Sequence, residues 1–203
     1  MIAVIDYGAG NLRSVGNALA KLGYEAKITT SPEDIAAARA VILPGVGAAA
    51  ETMKHLAALG LVTPICRYIS QDRPFFGVCI GLQVLFDSTE EGGDHPCLGV
   101  IPGRVRRLPP GLKTPHMGWN QVRHVRQHPV FAGIPDNTNF YFVHSYYGVP
   151  EDESLIAGET EYGAVIPSVV ARGNLVATQF HPEKSGEMGL KMYDNFIKRA
   201  LGS

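Results

Sequence analysis

Residues 77–86 read GVCIGLQVLF, and this stretch decides the fold. The apolar run before it, PFFGV (74–78), has the length and composition of a buried strand. The run after the cysteine, IGLQVLF (80–86), reads as the start of a helix. Between them sits Cys79, with Gly77 two residues before and Gly81 two residues after. A sharp strand-to-helix turn flanked by glycines is the nucleophile-elbow frame, here with cysteine where serine is more familiar. The glycines let neighbouring backbone come close on both sides of a strained turn. The helix N-terminus beside the sulfur favours thiolate over thiol. The N–H of Ile80 is placed to donate to an oxyanion formed on a carbonyl that Cys79 attacks. Free cysteine is also among the most buried residue types. On this frame alone, a structural cysteine therefore stays open beside a nucleophile.

Working outward, the first half of the chain alternates strand and helix. IAVID (2–6), YEAKIT (24–29) and AVIL (40–43) read as strands. NLRSVGNALAKLG (11–23) places Leu12, Val15, Leu19 and Leu22 on one helical face, with Gly23 as its stop. SPEDIAAA (31–38) opens with Ser31 as N-cap, Pro32 at the first helical position and two acids in the first turn. AAAETMKHLAALG (48–60) is a further amphipathic helix, and TPICRYIS (63–70) a short one capped by Thr63. Strands and helices alternating through short connections indicate a parallel sheet covered on both faces.

The second half reads differently. QVRHV (121–125), NFYFVHSYY (139–147), SLIAGET (154–160), GAVIPSVV (163–170) and LVATQF (175–180) are short strand-like runs separated by Gly, Pro and Asn. They predict antiparallel strands that extend the sheet or lie beside it. GLKMYDNFIKRAL (189–201) closes the chain as a helix. The expected fold is an α/β three-layer sandwich, flavodoxin-like, whose mostly parallel central sheet is extended by antiparallel strands. Residues 1–203 are expected to form one domain.

Bulk properties exclude several function classes. Hydrophobic residues make up 45% of the 203 and charged residues 18%, below the usual ~25%, which favours a compact enzyme-like chain. The net charge of −1 offers no basic field for nucleic acid. Three cysteines without a C-x-x-C pair indicate neither a zinc site nor a disulfide framework. The chain opens with MIAVIDYGAG, an apolar strand, so no signal peptide is expected. No apolar run approaches the ~20 residues that cross a bilayer. A cytoplasmic location is expected, without membrane association.

A nucleophile needs a base, and the base an orienting group. His181 ends the strand-like LVATQF run and is followed by Pro182 and Glu183. The proline bars a helical continuation at His181, so Glu183 can turn back onto its ring. That would aim the other ring nitrogen at a thiol, the part the acid plays in a Ser-His-Asp triad. Alone, His-Pro-Glu also reads as an ordinary surface turn. Pro44-Gly45-Val46-Gly47 follows a strand and precedes a helix. Its N–H groups can supply a second oxyanion donor, although such turns are common.

GVCIGLQ, LPGVG and HPEKS together resemble the class I (triad) glutamine amidotransferase family. Within it, DYGAGNLRSV (6–15), PHMGWN (115–120) and FYFVHSYY (140–147) are similar to the glutaminase subunits of imidazole glycerol phosphate synthases. The match runs in the family's order from Asp6 to the final helix. Ile80 departs from the Leu or Val favoured there, at a position that works through its backbone. The resemblance implies that Cys79 attacks the side-chain amide of glutamine, that His181 moves the proton and that Glu183 orients His181. It implies Gly47 and Ile80 as oxyanion donors, and Gly45, Gln83, His144, Ser145 and Tyr146 as residues around the substrate. It implies a heterodimer with a cyclase subunit, a (β/α)8 barrel, which receives the ammonia for histidine biosynthesis. Asn11, Arg13, Ser14, Trp119, Asn120 and Lys184 are the expected partner-facing residues. No cofactor or metal is implied.

DYGAGNLRSVG lacks the third glycine of a dinucleotide fingerprint, where Arg13 stands, and the second strand does not end in an acid. Trp119 reads equally as core filling. Cys66 reads as core, His95-Pro96-Cys97 as loop and RVRR (104–107) as a solvated strand edge. A binding module with an idle cysteine, or a glutaminase serving another synthase, stays open at this level.

Overall fold

The computed structural model describes residues 1–202. In chain order the strands are β1 (Ile2–Ile5), β2 (Ala26–Thr29), β3 (Ala40–Leu43), β4 (Phe75–Val78), β5 (Phe86–Thr89), β6 (His95–Pro96) and β7 (Ile101–Arg107). They continue as β8 (His116–His124), β9 (Thr138–His144), β10 (Tyr146–Pro150), β11 (Ile156–Glu161), β12 (Val165–Arg172) and β13 (Leu175–Thr178). The helices are α1 (Leu12–Lys21), α2 (Pro32–Ala37), α3 (Ala49–Ala58), α4 (Val62–Ser70), α5 (Ile80–Gln83) and α6 (Gly186–Leu201).

Nine strands form one sheet in the order β2-β1-β3-β4-β13-β12-β11-β8-β9. The first five are mutually parallel; from β13 to β9 every pairing is antiparallel. β1, β3, β4 and β13 are buried at every residue, as strands covered on both faces must be. α1 packs with α6, while α2 and α3 pack with α4, and α3 also with α5. These two helical groups flank the sheet and make three layers. A smaller sheet, β10-β7-β5-β6, lies beside it. The second half of the chain thus both extends the main sheet and builds a second one.

Local chemistry accounts for several element ends. Ser31 Oγ accepts from the N–H groups of Glu33 and Asp34, capping α2 as its sequence predicts. Gly23 follows α1 at φ +81°, the left-handed stop that glycine adopts at no steric cost.

Elsewhere tertiary partners override local signals. The helix expected over 80–86 is a single turn. The carbonyls of Val84 and Leu85 accept from Leu98, Val100 and Ile101, and Phe86 begins β5. The ring of Phe86 enters the space that a Cβ on Gly148 would fill. His95-Pro96 is not loop but pairs with Ser88 and Thr89. RVRR lies in β7, an interior strand of the small sheet, so it is no sheet edge; Arg104, Arg106 and Arg107 take its exposed positions. α4 starts at Val62 with Leu61 at its cap, not Thr63. Cys66 is half-buried rather than core, with its sulfur 3.8 Å from the Leu98 carbonyl.

Candidate active site

Three adjacent parallel strands deliver the site. Leu43 of β3 is in register with Gly77 of β4, and Val78 of β4 with Thr178 of β13. Their carboxyl ends therefore lie side by side, where open α/β sheets bind ligands. β3 leads into the Pro44–Gly47 loop, β4 into Cys79, and β13 into Gln179, Phe180 and His181. This register brings Cys79 and His181, distant in the chain, to the same rim of the sheet.

The elbow is strained as expected. Cys79 adopts φ 53° and ψ −104°, a conformation that costs a cysteine roughly 1–3 kcal/mol. The Cys79 N–H continues the ladder onto Thr178 O at 2.7 Å, which anchors the turn. A Cβ on Gly77 would lie 2.6 Å from the Gly81 carbonyl, and one on Gly81 would overlap the Leu43 carbonyl. Both glycines are required by close approach. Ile80 is the first residue of α5, so its N–H has no acceptor within the helix. Gly47 holds φ +95°, a value natural only to glycine.

A cavity of about 310 Å³ opens at this point, within the size range of small-molecule sites. Its wall contains Cys79, Ile80 and Gln83 from the elbow, Val46 and Gly47 from the loop after β3, and His181. Val143, His144, Ser145 and Tyr146 complete one side, and Glu91 and Pro115 another. Gly45 stands behind this wall instead. A Cβ there would come 2.6 Å from that of Ile80, so its part is to let the loop approach the elbow. A somewhat larger groove of about 360 Å³ between α2 and α4 contains no cysteine or histidine and lies away from this chemistry.

His181 Nδ1 is 2.8 Å from Glu183 Oε1, and both side chains are 1% exposed. Its backbone is pinned twice: the N–H donates to Tyr141 O at 2.9 Å, and the carbonyl accepts from Ser185 Oγ at 2.6 Å. Glu183 also accepts from Tyr193 Oη at 3.4 Å and from Asn11 Nδ2 at 3.5 Å. Burial alone would lower the pKa of His181. The close Cys79 sulfur and the hydrogen-bonded Glu183 carboxylate outweigh it and raise the pKa of His181 to about 9. His181 Nε2 is buried and makes no hydrogen bond of good geometry, so its coupling to Cys79 is that of a close electrostatic neighbour. The sulfur accepts from Gln179 Nε2 at 3.6 Å.

The sequence missed Gln179, Glu91 and Val143. Gln179 immediately precedes the Phe-His pair, yet only the register of β13 against β4 shows that it reaches the sulfur. Glu91 sits beyond β5, with its carboxylate accepting from Ala49 N–H at 3.2 Å. Burial pushes its pKa up and that hydrogen bond partly offsets the rise. No spacing rule in the sequence marks it.

The expected partner-facing residues divide. Arg13 and Lys184 are exposed, and Ser14 and Asn120 half-buried. Trp119 is 57% exposed, which excludes core filling. It sets its ring edge against Tyr141, over which Lys184 Nζ lies at 5.9 Å. Met117, on the same face of β8, is 61% exposed. Asn11 is tied to Glu183 and so belongs to the site's support as well. Among the described residues no helix is long and apolar enough to cross a membrane. No group of three His, Cys, Asp or Glu side chains among them could hold a metal.

Comparison with known proteins agrees with this arrangement. The family described as glutamine amidotransferase class-I matches residues 3–200. The imidazole glycerol phosphate synthase subunit HisH of Dehalococcoides mccartyi (strain CBDB1) is 56% identical over 202 residues, covering 100% of this chain and 98% of its own. The protein of the same description from Moorella thermoacetica is 53% identical over 195 residues, covering 96% and 93%. A crystal structure of a glutamine amidotransferase superposes with a TM-score of 0.77 at 21% identity, covering 98% of this chain and 99% of that one. The structure of PurLQS from Thermotoga maritima gives 0.76 at 17%, covering 98% and 97%. At such identities these two speak for the fold alone. An elbow cysteine, a buried His–Glu pair just beyond the neighbouring strand and a family match over nearly the whole length lead to one conclusion: the chain belongs to the class-I glutamine amidotransferase family.

Proposed function

We propose that this chain is the glutamine-hydrolysing subunit of an imidazole glycerol phosphate synthase in histidine biosynthesis, with Cys79, His181 and Glu183 as its catalytic triad. The observation that carries the triad is the His181–Glu183 pair at 2.8 Å, placed by β13 beside the elbow sulfur in one cavity wall. The identity above 50% to synthase subunits carries the pathway.

The chemistry follows from the geometry. Glu183 accepts from Nδ1–H and leaves Nε2 toward the sulfur. An imidazolium there balances a thiolate, the reactive form of the cysteine. Cys79 Sγ attacks the side-chain amide carbon of glutamine, and the carbonyl oxygen becomes an oxyanion that the N–H groups of Ile80 and Gly47 receive. His181 gives its proton to the amide nitrogen, the C–N bond breaks, and ammonia leaves a thioester on Cys79. His181, now neutral, takes a proton from water as it attacks the thioester; glutamate departs and thiolate and imidazolium are restored. Glu91 is the acid of the cavity and complements the α-ammonium of the substrate, while backbone at His144, Ser145 and Tyr146 grips the same amino-acid end.

Ammonia released into water becomes ammonium and is lost as a nucleophile. A cyclase subunit, a (β/α)8 barrel bound as a heterodimer, would take it directly. Met117, Trp119, Tyr141 and Lys184 offer an aromatic and cationic patch of the kind that anchors interfaces. The isolated chain is expected to turn over glutamine slowly.

Incubation with an electrophilic glutamine analogue tests the reading. Stoichiometric labelling of Cys79, lost in His181→Ala, together with co-purification of an active synthase when a cyclase subunit is co-expressed, is the expected result. Absence of labelling both with and without that subunit overturns it.

A further inference from the structure

Two buried histidines outside the triad are joined in a way that fixes every proton between them. His144 Nδ1 lies 2.9 Å from Tyr146 O. A carbonyl only accepts, so Nδ1 carries the hydrogen. In a neutral ring Nε2 is then an acceptor, and His116 Nδ1 approaches it at 3.0 Å. His116 must therefore donate from Nδ1, which leaves its Nε2 as acceptor. Asn120 Nδ2, a donor only, meets that nitrogen at 3.2 Å. The orientation of Asn120 is itself set, because Oδ1 accepts from Gln121 N–H at 2.8 Å and Nδ2 also donates to Glu161 O at 3.0 Å.

The inner end continues to the nucleophile. Tyr146 O accepts from Gln83 Nε2 at 2.8 Å, and the same amide nitrogen donates to Gln179 Oε1 at 3.2 Å. Gln179 Nε2 then donates to Cys79 Sγ. One unbroken series of hydrogen bonds runs from Asn120, on the strand that carries Trp119, to the elbow sulfur. His116 is the second member, between Asn120 and His144. Its ring is held in place independently, stacked at 3.9 Å on Tyr162 and at 4.8 Å on Phe142. Stacking alone would let the ring be any flat apolar group; the two nitrogens are what the series uses. Burial holds His116 and His144 neutral, the latter down to about 4. Either ring protonated would set two donors face to face and break the link.

We infer that His116 is a positioning residue for glutamine hydrolysis: its Nδ1–H donates to His144 Nε2, holds His144 in the tautomer that donates to Tyr146 O, and so fixes the His144–Tyr146 wall of the cavity. This rests on the glutaminase reading, since only then does that wall border a substrate.

The test combines a spectroscopic and a kinetic arm on the full chain, the kinetics with its synthase partner. Long-range ¹⁵N–¹H spectra of histidine-labelled protein at pH 7 show both rings neutral with hydrogen on Nδ1. His116→Phe keeps the stack and removes both nitrogens, whereas His116→Asn restores a donor near Nδ1. His116→Phe raises KM for glutamine about tenfold, because the His144–Tyr146 wall is no longer held in its binding geometry, with kcat changed less than threefold. His116→Asn recovers most of that loss. An Nε2–H tautomer or a protonated ring in the wild type overturns the inference. So does an unchanged KM in a folded His116→Phe, or equal loss in both variants. Should His116→Phe not fold, the wild-type tautomers and His116→Asn still decide. If the wild type is not labelled at Cys79 by the glutamine analogue, the glutaminase reading fails first and this inference with it.

Discussion

Glu183 Oε1 sits 2.8 Å from His181 Nδ1 across a single proline, and water reaches neither side chain. The pair is set by Pro182, which starts a 3-10 turn over Pro182–Lys184 and folds the carboxylate back onto the ring. Glu183→Gln keeps the shape and removes the charge. We expect kcat to fall about 10³-fold with little change in KM, because the wrong tautomer and an unbalanced imidazolium affect the transition state rather than binding. Steady-state glutamate release on wild type and variant checks this.

The same pair makes folding stability depend on pH. Burial works against the His181 cation, but Cys79 and Glu183 raise its pKa from an ordinary 6.5 to about 9. A group raised on folding contributes stability that is complete below the unfolded value and is lost as pH rises through the folded one. Chemical denaturation should therefore show wild type losing stability between about pH 6.5 and 9 more steeply than Glu183→Gln. Parallel curves for the two proteins would show that the carboxylate does not hold the proton there.

Gly81→Ala is expected to destabilise by about 3 kcal/mol or more, since its methyl would overlap the Leu43 carbonyl and backbone cannot swing away as a side chain can. The damage falls on the turn itself, so analogue labelling of Cys79 should drop even in the fraction that folds. Thermal unfolding and labelling stoichiometry together read both effects.

Glu91→Gln separates binding from chemistry. Its carboxylate lies in the cavity wall and accepts from Ala49 N–H. Losing one charged hydrogen bond to an ammonium corresponds to a rise in KM of about tenfold or more, with kcat nearly unchanged. Glutamine titrations carried to saturation would reveal a fall in kcat instead if Glu91 took part in proton transfer.

Ser31→Ala serves as the distant control. Removing the cap of α2 should cost about 1 kcal/mol in denaturant melts and leave glutamine turnover as it was. A change in KM or kcat would mean that α2 is coupled to the site.

The candidate site was legible wherever chemistry is written in adjacent residues. The elbow glycines, the capped start of α2 and the His-Pro-Glu turn all act within a few residues, and all stand where the sequence places them. The helix expected over 80–86 failed because Val84 and Leu85 find backbone partners at Leu98–Ile101, a pairing that no local propensity carries. RVRR, expected at a strand edge, lies inside the small sheet for the same reason: whether a strand is interior or edge depends on which other strands arrive beside it. Trp119 could be core or surface on composition, and only its position on β8 made it surface.

By itself the sequence determined the alternating architecture, the elbow that presents Cys79 and the candidate residues able to serve it, because glycine, proline and capping side chains constrain their own backbone directly. Only the tertiary structure decided that β13 would lie beside β4, in a register that carries Gln179 to the sulfur and His181 into the same wall. Strand neighbours are chosen by burial and hydrogen bonding summed over the whole sheet, and that sum is not contained in any one segment.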